Sequence, residues 1–223
     1  MNKKDAIKMV EILKQTYPDA TCSLDFETPF QAVVAVILSA QCTDERVNKT
    51  TPALFERCKT VEDFANIDIK ELEDFIHPCG FFKNKAKNIK LCAKQVIENF
   101  NGIVPHTMNE LLTLAGVGRK SANVILLEAF GIANGIAVDT HAKRISNRIG
   151  FSSETDPEKI EQNLVKIFPK DSLKDINHLL VWHGRNICDA RKPKCDICPV
   201  KDYCKYAQEG QSLKCKMHKR DTP

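Results

Sequence analysis

No stretch of this sequence is long and apolar enough to cross a bilayer. The longest uninterrupted run, Ala32 to Leu38, falls far short of the roughly 20 residues that a helical span requires. The first twenty residues are charged and amphipathic, so no secretory signal is read there. No run of alternating apolar and polar residues marks a strand, and there is neither an internal repeat nor a low-complexity tract. These absences exclude a membrane protein, a repeat array and an all-β domain. The expected address is the cytoplasm. What remains is ordinary for a globular chain: 223 residues, 43% hydrophobic and 28% charged, enough for one large domain or two small ones.

Net charge is only +4, but it is unevenly spread. Asp44 to Phe82 carries nine acids and five bases, Lys83 to Lys94 five lysines and no acid, and Arg185 to Pro223 ten bases and five acids. Such segregation suits either a set of solvated lysines or a positive face for a polyanion.

Ten cysteines in a chain with no export signal point to metal rather than disulfides. Cys22, Cys42, Cys58, Cys79 and Cys92 are scattered and read as small core residues. Cys188-x6-Cys195-x2-Cys198-x5-Cys204 is different, because four thiolates within so short a stretch can converge on one centre. Soft sulfur ligands select zinc or an iron–sulfur cluster, and spacing alone does not decide between them. Only one Cys-x2-Cys knuckle is present, where zinc sites often pair two. Arg191, Lys192 and Lys194 lie between the first two cysteines, so a structural metal would hold a small basic finger suited to phosphate.

Helix signals run along the whole chain. Ile7, Val10, Lys14 and Tyr17 give a first helix an apolar stripe with the lysine stem at its margin, and Pro29 opens the apolar run that follows. Thr60-Val-Glu-Asp63 and Thr107-Met-Asn-Glu110 have the form of capping boxes, and Asp156-Pro157 that of an N-cap followed by proline. About ten short helices are predicted, and an all-α fold.

Leu111 to Ile125 reads as helix, Gly116-Val-Gly118 turn and second helix. The glycines permit a sharp turn, and backbone amides at a helix start make an anion site that a DNA phosphate fits. Lys120 then falls in the first turn of the second helix, where the macrodipole disfavours a cation. It is either a phosphate-binding surface lysine or a nucleophile that surrenders its proton readily. Val138-Asp-Thr-His-Ala-Lys-Arg144 opens a further helix with Asp139 as its N-cap. The intervening residues are long enough to bring Asp139 back to Lys120, and Lys143, Arg144 and Arg148 would add charge on the same side.

Taken together, Leu38-Ser-Ala-Gln-Cys-Thr-Asp44, Gly80-Phe-Phe-Lys-Asn-Lys-Ala86, the Gly-Val-Gly hairpin with Lys120, Val138-Asp-Thr-His141 and the cysteine spacing resemble the endonuclease III family of helix-hairpin-helix DNA glycosylases, over nearly the whole chain. The resemblance implies two all-α lobes: a six-helix domain over 22–133, and an iron–sulfur domain from 1–21 with 134–223, with a basic tail from about 205. It implies a [4Fe-4S] cluster on Cys188, Cys195, Cys198 and Cys204, and a monomer acting on double-stranded DNA that carries a damaged base or abasic site. An oxidised pyrimidine would be flipped into a cleft between the lobes. There Lys120 would displace the base and Asp139 assist, and the lysine imine would permit β-elimination 3′ to the lesion. Gln41 matches the residue that fills the gap left by the flipped base, and Phe81 a wedge beside it. Gly116, Gly118, Arg119, His141, Lys143, Arg144, Arg191, Lys192 and Lys194 are the expected DNA contacts.

Three positions depart from the family pattern. Ala115 stands where many relatives have proline, Phe81-Phe82 replaces Leu-Tyr, and Cys42 replaces a small or hydroxyl residue. Two other readings compete. A monofunctional mismatch glycosylase would lack a lysine at position 120, and its adenine-specific type would need a further C-terminal domain. A non-catalytic DNA-binding module with structural zinc would leave the Lys120–Asp139 pairing as coincidence.

Overall fold

A computed structural model of the chain describes residues 2–209, and every regular element among them is helical. In chain order these are α1 (Lys3–Thr16), α2 (Pro29–Ser39), α3 (Asp44–Arg57), α4 (Val61–Asn66), α5 (Ile69–Ile76), α6 (Phe82–Phe100), α7 (Met108–Leu111), α8 (Arg119–Phe130), α9 (Thr140–Ile149), α10 (Pro157–Ile167) and α11 (Leu173–Asn186). Short 3-10 turns occur at His77–Cys79, Lys170–Ser172, Cys195–Ile197 and Lys201–Tyr203. No helix among the described residues is long and apolar enough to cross a membrane. The chain divides into two units, Cys22–Ile132 and a discontinuous one that joins the N-terminal residues to those from Ala133 onward.

The Cys22–Ile132 unit is built round α2, whose residues from Phe30 to Leu38 are all buried. Thr28 caps this helix in a reciprocal box with Gln31, and Pro29 fills the first-turn position where a missing N–H costs nothing. Thr60 and Asp63 close a second such box at α4, the shorter aspartate reaching back as well as a glutamate would. At Thr107 the box forms only in part: the Thr107 oxygen accepts the Glu110 amide, but the Glu110 carboxylate takes the Thr107 hydroxyl. The helix it starts, α7, is a single turn. Counting it, this unit has seven α-helices among the described residues, where six were expected. Cys58, Cys79 and Cys92 are core residues as their type suggests, whereas Cys22 and Cys42 are only half-buried.

The discontinuous unit packs α1, α9, α10 and α11 round a second apolar core. The stripe that seats α1 is Ala6, Met9, Val10, Leu13 and Tyr17. It is turned from the one read in the sequence, because Ile7 sits at its margin and Lys14 faces outward to pair with Asp175 at 2.5 Å. That half-exposed pair contributes under about 1 kcal/mol. Each buried apolar side chain contributes roughly 1.5–3 kcal/mol, so packing decides the rotation of the helix. Residues 205–209, expected to begin a basic extension, are helical instead, with Ala207 buried in the core. The rest of the expected basic tail lies outside the described residues.

Candidate functional site

In the Cys22–Ile132 unit the hairpin is assembled on α6. Gly116 has φ +80, and a Cβ there would stand 3.0 Å from the Asn88 Cβ, so both backbone and space require glycine. Gly118 is another matter. Its φ is −95 and an added Cβ would meet nothing within 4 Å, so the fold by itself does not require glycine there. Val117 between them is buried and anchors the turn. Gln95 of α6 grips the approach with both ends of its amide, donating to the Thr113 carbonyl at 3.1 Å and accepting the Ala115 N–H at 2.7 Å. The N–H that proline would lack at position 115 is therefore used, and the hairpin is held by a side-chain clamp. Gly118 is the N-cap of α8, with no capping side chain, so the first-turn amides of α8 point out of the helix end. Arg119 and Lys120 are the first two residues of that helix, and Lys120 is exposed.

Gln41 and Phe81 share an unusual backbone. Only three non-glycine residues among those described have positive φ, namely Gln41 (φ 54), Phe81 (φ 48) and Asn101 (φ 54). Asn101 ends α6, a place where asparagine accepts this conformation readily. Gln41 and Phe81 have no such excuse, and a strained backbone of this kind costs on the order of 1–3 kcal/mol. Gln41 is exposed just beyond α2, and Phe81 is 68% exposed at the start of α6, which removes the core-aromatic reading of that ring. A large apolar side chain held out in solvent on a strained backbone is a feature of binding surfaces.

In the discontinuous unit Asp139 caps α9, accepting the Ala142 amide at 2.7 Å, and is half-buried. Asn177 of α11 donates to the Ala137 carbonyl and so fixes the strand of chain leading into that cap. His141 follows on the first turn of α9. The Arg144 guanidinium approaches the His141 Nδ1 at 3.1 Å. Burial lowers the pKa of this imidazole. The same Arg144 nitrogen donates to the carbonyls of Gly184 (3.2 Å) and Cys188 (3.0 Å). Arg148, expected to add outward charge, is turned to the cysteine loop, donating to Asp189 (2.6 Å) and Ala190 (2.7 Å) carbonyls and to the Cys188 Sγ at 3.4 Å. Both arginines thus tie α9 to the loop that begins at Cys188. Gly184 is a site residue that the sequence reading missed. A Cβ there would lie 2.7 Å from the His141 Nδ1 and 2.9 Å from the Arg144 guanidinium, so α11 approaches α9 closely just where these residues sit. A lone glycine inside a helical pattern was the available signal.

Cys188, Cys195, Cys198 and Cys204 line one pocket with Ile149, Ile187, Val200 and Ala207 among its apolar walls. Burial pushes the Cys198 thiol up to about 11 and raises Cys204, and the neighbouring cysteines oppose further negative charge. Four thiolates gathered in such surroundings call for a cationic centre. Among the described residues no three His, Cys, Asp or Glu side chains close on a point that could hold one ion. A cluster that gives each of the four thiolates its own iron fits a pocket lined by four cysteines and apolar side chains. His183 is a buried member of the pocket wall, its pKa lowered to about 4 by that burial. Its Nδ1 lies 3.1 Å from the Tyr17 hydroxyl and its Nε2 3.6 Å from the Cys198 Sγ, so a neutral ring accepting from Tyr17 donates toward the sulfur. Within the finger, Asp189 accepts the amides of Arg191 and Lys192, which stay exposed, while the Lys194 ammonium turns back to the Asn186 carbonyl at 3.1 Å.

Residues 34–170 match the family described as HhH-GPD superfamily base excision DNA repair protein, and residues 188–204 match the iron-sulfur binding domain of endonuclease III. Endonuclease III of Synechocystis sp. is 52% identical over 206 residues, covering 92% of this chain and 94% of that protein. Endonuclease III of Escherichia coli is 38% identical over 209 residues, covering 94% and 99%. A solved structure described as a trapped endonuclease III–DNA covalent intermediate, an estranged-adenine complex, superposes with a TM-score of 0.88 at 39% identity, covering 95% of this chain and 99% of that one. The protein is a base-excision-repair DNA glycosylase and abasic-site lyase with a four-iron, four-sulfur cluster. With its hairpin, its capping aspartate and its cysteine pocket, the chain belongs to the endonuclease III family.

Proposed function

We propose that this enzyme removes oxidised pyrimidines from duplex DNA and cuts the strand 3′ to the resulting abasic site. One observation carries the reading: an exposed lysine, Lys120, in the first helical turn directly after a backbone-amide turn suited to phosphate. The first-turn amides of α8, with Arg119, hold a backbone phosphate, and Gly118 lets that phosphate come close. The Lys120 Nζ attacks the sugar C1′ as the bond to the base breaks, and the base leaves with the electron pair. Asp139 helps to take the proton from the attacking amine and stabilises the positive charge developing on the sugar. The C1′–O4′ bond then opens, O4′ taking a proton, to give an imine that permits loss of the 3′ phosphate by β-elimination, and water then frees the lysine.

Gln41 fills the space left by the flipped nucleotide and Phe81 wedges the stack beside it. Cys188, Cys195, Cys198 and Cys204 hold the cluster, whose contribution is to fix the loop that presents Arg191 and Lys192 to phosphate. Lys143 adds a phosphate contact, and His141 a further contact to the DNA. Arg144 and Lys194, committed to carbonyls, shape the surface more than they contact DNA. The enzyme works as a monomer wherever the genome lies, in the cytoplasm of a bacterial cell.

The test is borohydride trapping on a duplex with one oxidised pyrimidine. The native protein is expected to form a covalent adduct and Lys120→Gln none. If neither traps while both bind the duplex, the lysine mechanism is wrong and an activated-water glycosylase takes its place.

A further inference from the structure

Lys85 is 5% exposed, although lysine is almost never this buried unless something holds its ammonium. Its Nζ donates to the Leu38 carbonyl at 2.8 Å and to the Cys79 carbonyl at 2.9 Å. The Leu38 carbonyl belongs to the last turn of α2, where carbonyls lack helical partners and a cation is favoured. Three residues further on stands Gln41. The Cys79 carbonyl closes the 3-10 turn, and Gly80 (φ 68) and Phe81 (φ 48) follow in succession with left-handed backbones. One ammonium therefore joins the bases of the two segments whose tips are Gln41 and Phe81. Arg46 adds a longer contact from α3 to the same turn, donating to the Pro78 carbonyl at 3.5 Å. The thiols of Cys42 and Cys79 lie beside the ammonium and bring no full countercharge. Lys85 itself sits one turn into α6, and its backbone N–H donates to the Phe81 carbonyl at 3.1 Å.

We propose that Lys85 is a positioning residue for base flipping: its buried ammonium clamps the end of α2 to the turn before α6, and so holds Gln41 and Phe81 in register to enter the duplex together. The clamp acts through those two residues and touches no DNA, so it rests on their reading as gap-filler and wedge. Without it, the Leu38 and Cys79 carbonyls lose a shared donor, leaving the weak thiol contact between Cys42 and Cys79 and the long Arg46 bond to Pro78 as ties between the two strained segments. Both tips would still be present, but each would sample its backbone more independently. Entry into the duplex needs both at once, so loss of the clamp costs flipping rather than phosphate binding.

The experiment is a mutant cycle on single-turnover excision from a duplex with one oxidised pyrimidine, using the native chain, Lys85→Met, the pair Gln41→Ala with Phe81→Ala, and all three changes together. Lys85→Met is expected to slow excision by about tenfold or more while binding undamaged duplex within about twofold of the native affinity. In the Gln41→Ala, Phe81→Ala background the same change is expected to cost less than about twofold, since the residues through which it acts are gone. An equal loss in both backgrounds would overturn the clamp and make Lys85 a general stabiliser. If the Gln41→Ala, Phe81→Ala pair is itself without effect, the finger reading fails first, which is a different result. Should Lys85→Met not fold, Lys85→Gln, which keeps a donor at the end of a shorter chain, carries the same cycle with the same two outcomes.

Discussion

The two hairpin glycines separate at the level of single residues. Gly116 is required by its own conformation and by the Asn88 side chain against it. Gly116→Ala is therefore expected to lower stability by about 1–3 kcal/mol in denaturant titration. Gly118→Ala meets no protein atom and is expected to leave stability within about 0.5 kcal/mol. Duplex affinity should nevertheless fall, because the added methyl stands where a phosphate is proposed to approach the first-turn amides of α8. An equal loss of stability in both variants would mean that the turn, not the phosphate, accounts for the second glycine.

Element-level predictions concern how helices carry the chemistry. Asp139 both caps α9 and is proposed to act on the sugar, and two substitutions separate these tasks. Asp139→Asn keeps a good cap and should keep the native thermal midpoint; Asp139→Ala should cost about 1 kcal/mol. Excision should fall in both, since neither retains a carboxylate, and a native rate in Asp139→Asn would reduce this residue to a cap. The clamp of α6 on the hairpin can be tested in the same way. Gln95→Leu strands the Ala115 N–H and is expected to cost about 1–3 kcal/mol and weaken duplex binding. Adding Ala115→Pro removes that N–H and should return part of the loss. If the second change makes matters worse, the clamp does more than satisfy one amide.

Charge acts at the scale of the whole molecule. Phosphate contacts show as the slope of log affinity against log salt, each contributing about 0.9. Arg191→Ala and Lys192→Ala should each reduce that slope by about 1, because both residues stay exposed on a loop fixed from below. Arg144→Ala should leave the slope unchanged and lower stability instead, because its guanidinium serves the carbonyls of Gly184 and Cys188. Measuring duplex affinity over a range of salt for the three variants distinguishes these roles, and a reduced slope in Arg144→Ala would put that side chain back on the DNA.

The sequence by itself determined the helical class, the caps at Thr60, Asp139 and Asp156, the gathering of four cysteines, and the placing of a lysine at a helix start after Gly-Val-Gly. These features are local: a cap, a turn and a ligand spacing are written within a few consecutive residues. Tertiary structure decided what depends on partners distant in the chain. It turned α1 by its packing against α11, and turned Arg144 and Arg148 inward to the Cys188 loop. It set Gln95 against Ala115, and buried Lys85 between carbonyls 47 and 6 residues away. A lysine or an arginine reads as surface charge until something shows which carbonyls lie within its reach. Only packing between segments far apart in sequence supplies them.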